Sequence, residues 1–208
     1  MDEITRFPAP HPMGSTRADD SPTIEPYMGV WPEIDDTVYI ASTAVVMGAV
    51  RIGRDSSVWH QVTLRGDNNY ITIGEGTNIQ DNAVVHIDSQ ELPTIIGNHV
   101  TVGHSAIVHA CTVEDYAFIG MGAIILDGAQ ICSGAVVAAG AVVPPRKIVP
   151  SGEIWAGNPA KLMRTIDEDT QKKFQANATR YAEFARAARL GEQAGPFSFS
   201  PPSLPEKG

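Results

Sequence analysis

The sequence predicts an all-β chain wound as a parallel β-helix of hexapeptide repeats, with one C-terminal α-helix packed alongside. Three observations carry this: an aliphatic residue every six positions, small residues at a fixed offset from it, and a single helical pattern after the repeats end. From Ile40 the aliphatic anchors run Val46, Ile52, Val58 and Leu64, then resume after three extra residues at Ile73, Ile79 and Val85. A longer interruption leads to Ile96, Val102 and Val108, and a slip of one to Val113, after which Ile119, Ile125, Ile131, Val137 and Val143 keep the period. Helices repeat near 3.6 residues and plain strands at two, so a sustained period of six that tolerates looped insertions describes short strands arranged as triangular coils. Such coils stack about 4.8 Å apart with the anchors inward. Ala44, Ala83, Ala106, Ala123, Ala129, Ala135 and Ala141 stand four places after an anchor, where they suit tight corners.

The repeats divide the chain. Residues 1–30 are rich in proline and show no periodicity, which reads as an extended N-terminal arm, and residues 31–166 form the β-helix. Residues 167–190 place Phe174, Ala178, Tyr181, Ala185 and Ala188 at steps of three and four, the stripe of an amphipathic helix with Asp167 or Asp169 at its start and Gly191 at its end. Residues 191–208 are proline-rich again and read as a flexible tail.

Composition narrows the function. With 43% hydrophobic and 19% charged residues, this is the composition of an ordinary globular chain. A net charge of −9 without clustered Lys or Arg opposes nucleic acid binding. No apolar run approaches the roughly 20 residues of a membrane-spanning helix, and the N-terminus lacks the basic and apolar segments of a signal peptide, so a cytoplasmic location away from membranes is expected. Cys111 and Cys132 form no C-x-x-C pair and read as small buried thiols.

Counting in strands places the histidines. Val85, Ile96, Val102 and Val108 span one coil, so Val108 stacks on Val85, and the residue after each is histidine. His86 and His109 therefore share a column about 5 Å apart and point outward, a spacing that suits two imidazoles on one metal, unless they are structural or surface histidines stacked by coincidence. His104 follows Val102 by two and projects near another corner, out of reach of that pair within one chain. Three prisms around a threefold axis would let a neighbouring subunit supply it, closing three identical sites at heterologous interfaces. Three neutral histidines and a water are the ligand set of a catalytic zinc with an open position. The same count puts Arg65 in the column beneath His86, with Asp67 as its candidate ion-pair partner, unless Asp67 is only a loop residue. Gln80 is either an amide that orients a bound water or substrate, or a hydrogen-bonding corner residue.

These residues resemble a known family. The segments RGDNNYITIGEGTNIQDNAVVHID and TIIGNHVTVGHSAIVHACTVEDYAFIGMGAIILDGA are similar to the gamma-class carbonic anhydrases, and WAGNPAKLMR is similar to the segment that ends their β-helix. The resemblance covers about residues 30–190, and its specific part is N-I-Q-D-x4-H followed by V-G-H-x4-H. It implies a left-handed β-helix, an obligate homotrimer, and zinc, or iron or cobalt, at each interface. His86 and His109 come from one subunit and His104 from the next. Arg65 and Asp67 match an interfacial ion pair, and Gln80 matches a residue near the metal-bound water. The implied reaction is reversible hydration of carbon dioxide to bicarbonate by a metal-bound hydroxide.

One departure weighs against fast turnover. Active members carry a glutamate directly after the aspartate of the arginine segment, where this chain has Asn68. Asp88 and Glu91, in the loop after His86, are the carboxylates left for proton relay, and an exposed loop carboxylate is ordinarily just solvated. Thioesterase or acyltransferase-like chemistry on the same fold, and a noncatalytic metal-stabilised trimeric scaffold, are the rival readings.

Overall fold

In the computed structural model, which describes residues 21–88 and 91–190, the period of six becomes a prism of seven stacked coils. Each coil contributes one short strand to each of three faces, and nearly every pairing is parallel, between a strand and its equivalent one coil away. The first face carries Thr23–Glu25, the leading halves of Val45–Ile52 and Thr63–Ile73, then Val84–His86, Ile107–His109, Ile124–Ile125 and Val142–Val143. The second face holds Glu33–Ile34, the trailing halves of those two long strands, Thr94–Ile96, Thr112–Val113, Gln130–Ile131 and Ile148–Val149. The third runs from Tyr39–Ile40 to Glu153–Ala156 and is closed by the antiparallel strand Lys161–Thr165.

The anchors fill the interior: from Val46 to Val143 each is 3% exposed or less, while Ile40 on the first coil is half-buried because no coil lies beneath it. The alanines four places after an anchor are at most 1% exposed, so they line the inside of the corners, where a larger side chain would collide with the anchors. Outside, the chain turns through residues of positive φ, with Gln61, Asn82, Ser105, Gly122 and Gly140 on successive coils of one edge. Their amides pair with the coil below, as in Ser105 N to Asp81 O and Gly122 N to His104 O, both 2.8 Å.

Two differences from the expected layout stand out. Thr23–Glu25 pairs in parallel with Val45, Val46 and Met47, so the first coil begins inside the stretch expected to be an arm. This strand is exposed and held by backbone hydrogen bonds such as Thr23 N to Ala44 O, 3.0 Å, so it has no buried anchor for a hydrophobic period to reveal. The rest of that arm, residues 1–20, and the expected tail, 191–208, lie outside the described residues. Cys132 is only half-buried, whereas Cys111 lies in the core.

The helix, α1, spans Glu168–Leu190. Asp167 Oδ1 accepts the Thr170 amide at 2.8 Å and caps its start. It lies along the third face, with Phe174 against Phe118, Tyr181 against Trp59, and Ala178 and Ala185 buried. Ala188, expected in the same stripe, is exposed.

Two measurements test this core. Ile119→Ala removes a fully buried anchor and lowers stability by about 2–5 kcal/mol, read from urea unfolding at fixed protein concentration. Burial pushes the Cys111 thiol up to about 12, so thiol titration at pH 8 finds at most one reactive cysteine in the native chain and two after denaturation.

Candidate metal centre

The site grows from the column on the first face. Val108 lies opposite Val85 and His109 opposite His86, and Arg65 lies opposite His86 on the coil below. The amide of Ala110 donates to the carbonyl of His86 at 3.0 Å and locks the two coils where the rings project. The imidazoles stand with centroids 5.2 Å apart, and His86 Nδ1 faces His109 Nε2 at 3.2 Å.

A local irregularity aims Asp67 at this pair. Ala49 alone lies opposite residues 67–70, so the strand Thr63–Ile73 bulges outward after Gly66. The bulge needs glycine beneath it: Gly48 has φ +77°, and a Cβ there would sit 2.2 Å from the Gly66 carbonyl oxygen. Asp67 accepts from the Arg65 guanidinium, and its Oδ1 lies 3.2 Å from His86 Nε2 and 2.9 Å from the Asn68 amide. Burial opposes ionisation of Asp67, but the Asn68 amide, His86 and Arg65 together hold the carboxyl below its ordinary range. Burial and the Arg65 charge hold His86 below the ordinary imidazole value, which favours the neutral ring.

His109 is backed by a residue that spacing arguments had not singled out. Its Nδ1 lies 2.6 Å from Asp127 Oδ1, on the next coil. The signal was present, since Ile125 stacks on Val108 and Asp127 opens the corner just beyond. His104 sits at the opposite end of the first face, with Nδ1 2.9 Å from Asp81 Oδ2. The chain turns a corner at His104 and Ser105 before the strand Ile107–His109 carries it along the first face to the histidine pair. No three His, Cys, Asp or Glu side chains gather as a metal site within the single chain among the described residues.

The donor pair fits zinc. Two nitrogens at about 2.0–2.1 Å from an ion and a tetrahedral angle apart stand about 3.4 Å from one another, close to the 3.2 Å seen here. The nitrogens turned away from the gap each face a carboxylate, the usual support for a ligating histidine.

Gln80 lies apart from the histidine pair, near His104 on the edge where the third face turns into the first. It is 5% exposed, and its Nε2 donates to Asn78 Oδ1 at 3.0 Å, while Asn78 donates to Thr101 Oγ1. Asn68 is exposed, and neither Asp88 nor Glu91 hydrogen-bonds to the pair among the described residues.

Comparison with known proteins bears on the fold and the family. Residues 110–145 match the family described as Bacterial transferase hexapeptide (six repeats), which places the chain among the hexapeptide-repeat β-helix proteins. A crystal structure of a hexapeptide transferase family protein from Anaplasma phagocytophilum has 46% identity and a TM-score of 0.76, covering 79% of this chain and 97% of that one. Gamma carbonic anhydrase 1, mitochondrial, of Arabidopsis thaliana is 46% identical over 172 residues, 80% of this chain and 62% of its own. The carbonic anhydrase of Geobacillus kaustophilus is 44% identical over 160 residues, 77% of this chain and 87% of its own. The chain belongs to the gamma carbonic anhydrase family. It spans 62% of the length of the Arabidopsis relative.

Gln80 gives a direct test of its surroundings. Gln80→Ala leaves the buried Asn78 oxygen without its donor and costs about 1–3 kcal/mol in urea unfolding of the metal-free protein.

Proposed function

We propose that the chain assembles as a homotrimer with one zinc ion at each interface, and that these centres hydrate carbon dioxide reversibly to bicarbonate. The carrying observation is the His86 and His109 pair, two facing nitrogens 3.2 Å apart that leave coordination positions for a third histidine and a water. His104 of the next subunit is that third ligand. Its Nδ1 is taken by Asp81, so Nε2 is the nitrogen free to bind.

The surface between the two ends of the site supports the assembly. Val45, Thr63, Val84, Ile107, Ile124 and Val142 stand in one outward column of the first face, apolar except for Thr63, and Val84 and Ile107 are 38% and 37% exposed. An apolar stripe flanked by half-sites that are each incomplete is what a threefold partner would cover.

When bound, the ion supplies a Lewis acid that makes water nucleophilic at neutral pH. The protein's own residues prepare its seat. Asp67 and Asp127 hold the outer nitrogens of His86 and His109, and Asp67 also neutralises Arg65, whose charge would otherwise oppose a cation one coil away. Proton release is the weaker half of the machinery, because Asn68 is an exposed amide that cannot carry a proton as a carboxylate does. That residue favours a second reading, a trimer that uses its metal for assembly alone. Metal analysis with stopped-flow hydration of carbon dioxide separates the two: zinc with a rate above buffer supports the enzyme, and zinc with a buffer rate supports the scaffold.

His104→Ala removes zinc from every site and loosens the trimer, because each ion joins two chains. Metal analysis and sedimentation read the two effects, and a variant that remains a fully loaded trimer refutes the ligand assignment.

A further inference from the structure

Asp127 lies beyond the N-I-Q-D-x4-H and V-G-H-x4-H motifs, yet it makes the shortest contact to His109, Oδ1 to Nδ1 at 2.6 Å. Coil register brings the two together: Ile125 lies opposite Val108, and the chain leaves that strand through Leu126 and Asp127, which leans over the ring below. The carboxylate does not fill the core, since its side chain is 44% exposed. His109 is its one side-chain partner among the described residues.

A neutral imidazole carries one N–H, and a carboxylate beside Nδ1 draws it there. The lone pair is then on Nε2, the atom that faces His86 Nδ1 across 3.2 Å. Without an acceptor at Nδ1 both tautomers are open to His109, and only one presents a donor pair to the gap. The same contact restricts rotation of a side chain that is 31% exposed.

We propose that Asp127 is a positioning residue of the metal centre: by accepting the Nδ1 proton of His109 it selects the tautomer and fixes the ring that ligates through Nε2. The inference rests on the metal-binding reading above. Asp127 touches neither metal nor substrate and acts through His109 alone. Asp67 stands in the same relation to His86, but it also holds Arg65 and the Asn68 amide, so its removal would mix several effects. Asp127 isolates the one effect.

The test uses the full chain, stripped of metal and reloaded. Zinc affinity is measured by competition with a chromophoric chelator, and ligand geometry by the visible absorption of the cobalt form. Asp127→Ala weakens zinc binding about 10–100-fold and alters the cobalt bands, while the thermal midpoint of the metal-free protein stays at the wild-type value. Asp127→Asn, which keeps an acceptor oxygen without the charge, falls between the two. Wild-type affinity and an unchanged cobalt spectrum in Asp127→Ala overturn the proposal. So does an Asp127→Ala variant with a lowered metal-free midpoint beside an Asp127→Asn variant of wild-type affinity, because that pattern marks a purely structural residue. A wild-type chain that binds no zinc defeats the metal reading and this inference with it, whereas equal tight binding by wild type and Asp127→Ala defeats the positioning role alone.

Discussion

Everything in this molecule depends on the register between successive coils. Parallel hydrogen bonds tie each strand to its equivalent one lap earlier, and the pairs Leu64 to Val85, Val85 to Val108 and Val108 to Ile125 keep one column of anchors directed inward. Side chains one residue further along are thereby stacked on the outside, which is how Arg65, His86 and His109 become neighbours despite their separation in the chain. A slip of one residue would exchange inside for outside, expelling the anchors and burying the imidazoles. Core packing and site geometry are therefore the same constraint.

Stacking at such close range concentrates charge, and the site answers with paired acids. Arg65 lies one coil from His86, and Asp67 is drawn up by the bulge over Gly48 and Gly66 to lie between them. Asp127 and Asp81 take corresponding places beside His109 and His104. Each imidazole thus has one nitrogen committed to a carboxylate of its own chain and one directed away from it. This arrangement gives the three rings a defined orientation.

The faces of the prism are unlike one another. The helix covers the third face through Phe174, Ala178 and Tyr181, whereas the first face keeps an uncovered outward column that is apolar except for Thr63. His104 stands at a corner turn and His109 at the far end of the strand Ile107–His109, so the two lie at opposite ends of the first face.

Much of this was legible in the chain itself, because an inward anchor in every strand leaves a period that insertions interrupt without erasing. Counting those anchors stacked His86 on His109 and set His104 apart, and the same count, carried one coil further, reaches Asp127. The first strand, Thr23–Glu25, left no such trace, since it is held by backbone pairing without a buried side chain. Gln80 stayed ambiguous because an amide one place after an anchor reads alike whether it meets solvent or Asn78, and only packing beneath the helix distinguishes them. Sequence alone determined the coil and the column of stacked side chains, both consequences of local periodicity. The tertiary structure decided which nitrogen of each ring faces the gap and which carboxylate stands behind it, because those depend on side-chain contacts between coils that no period along the chain records.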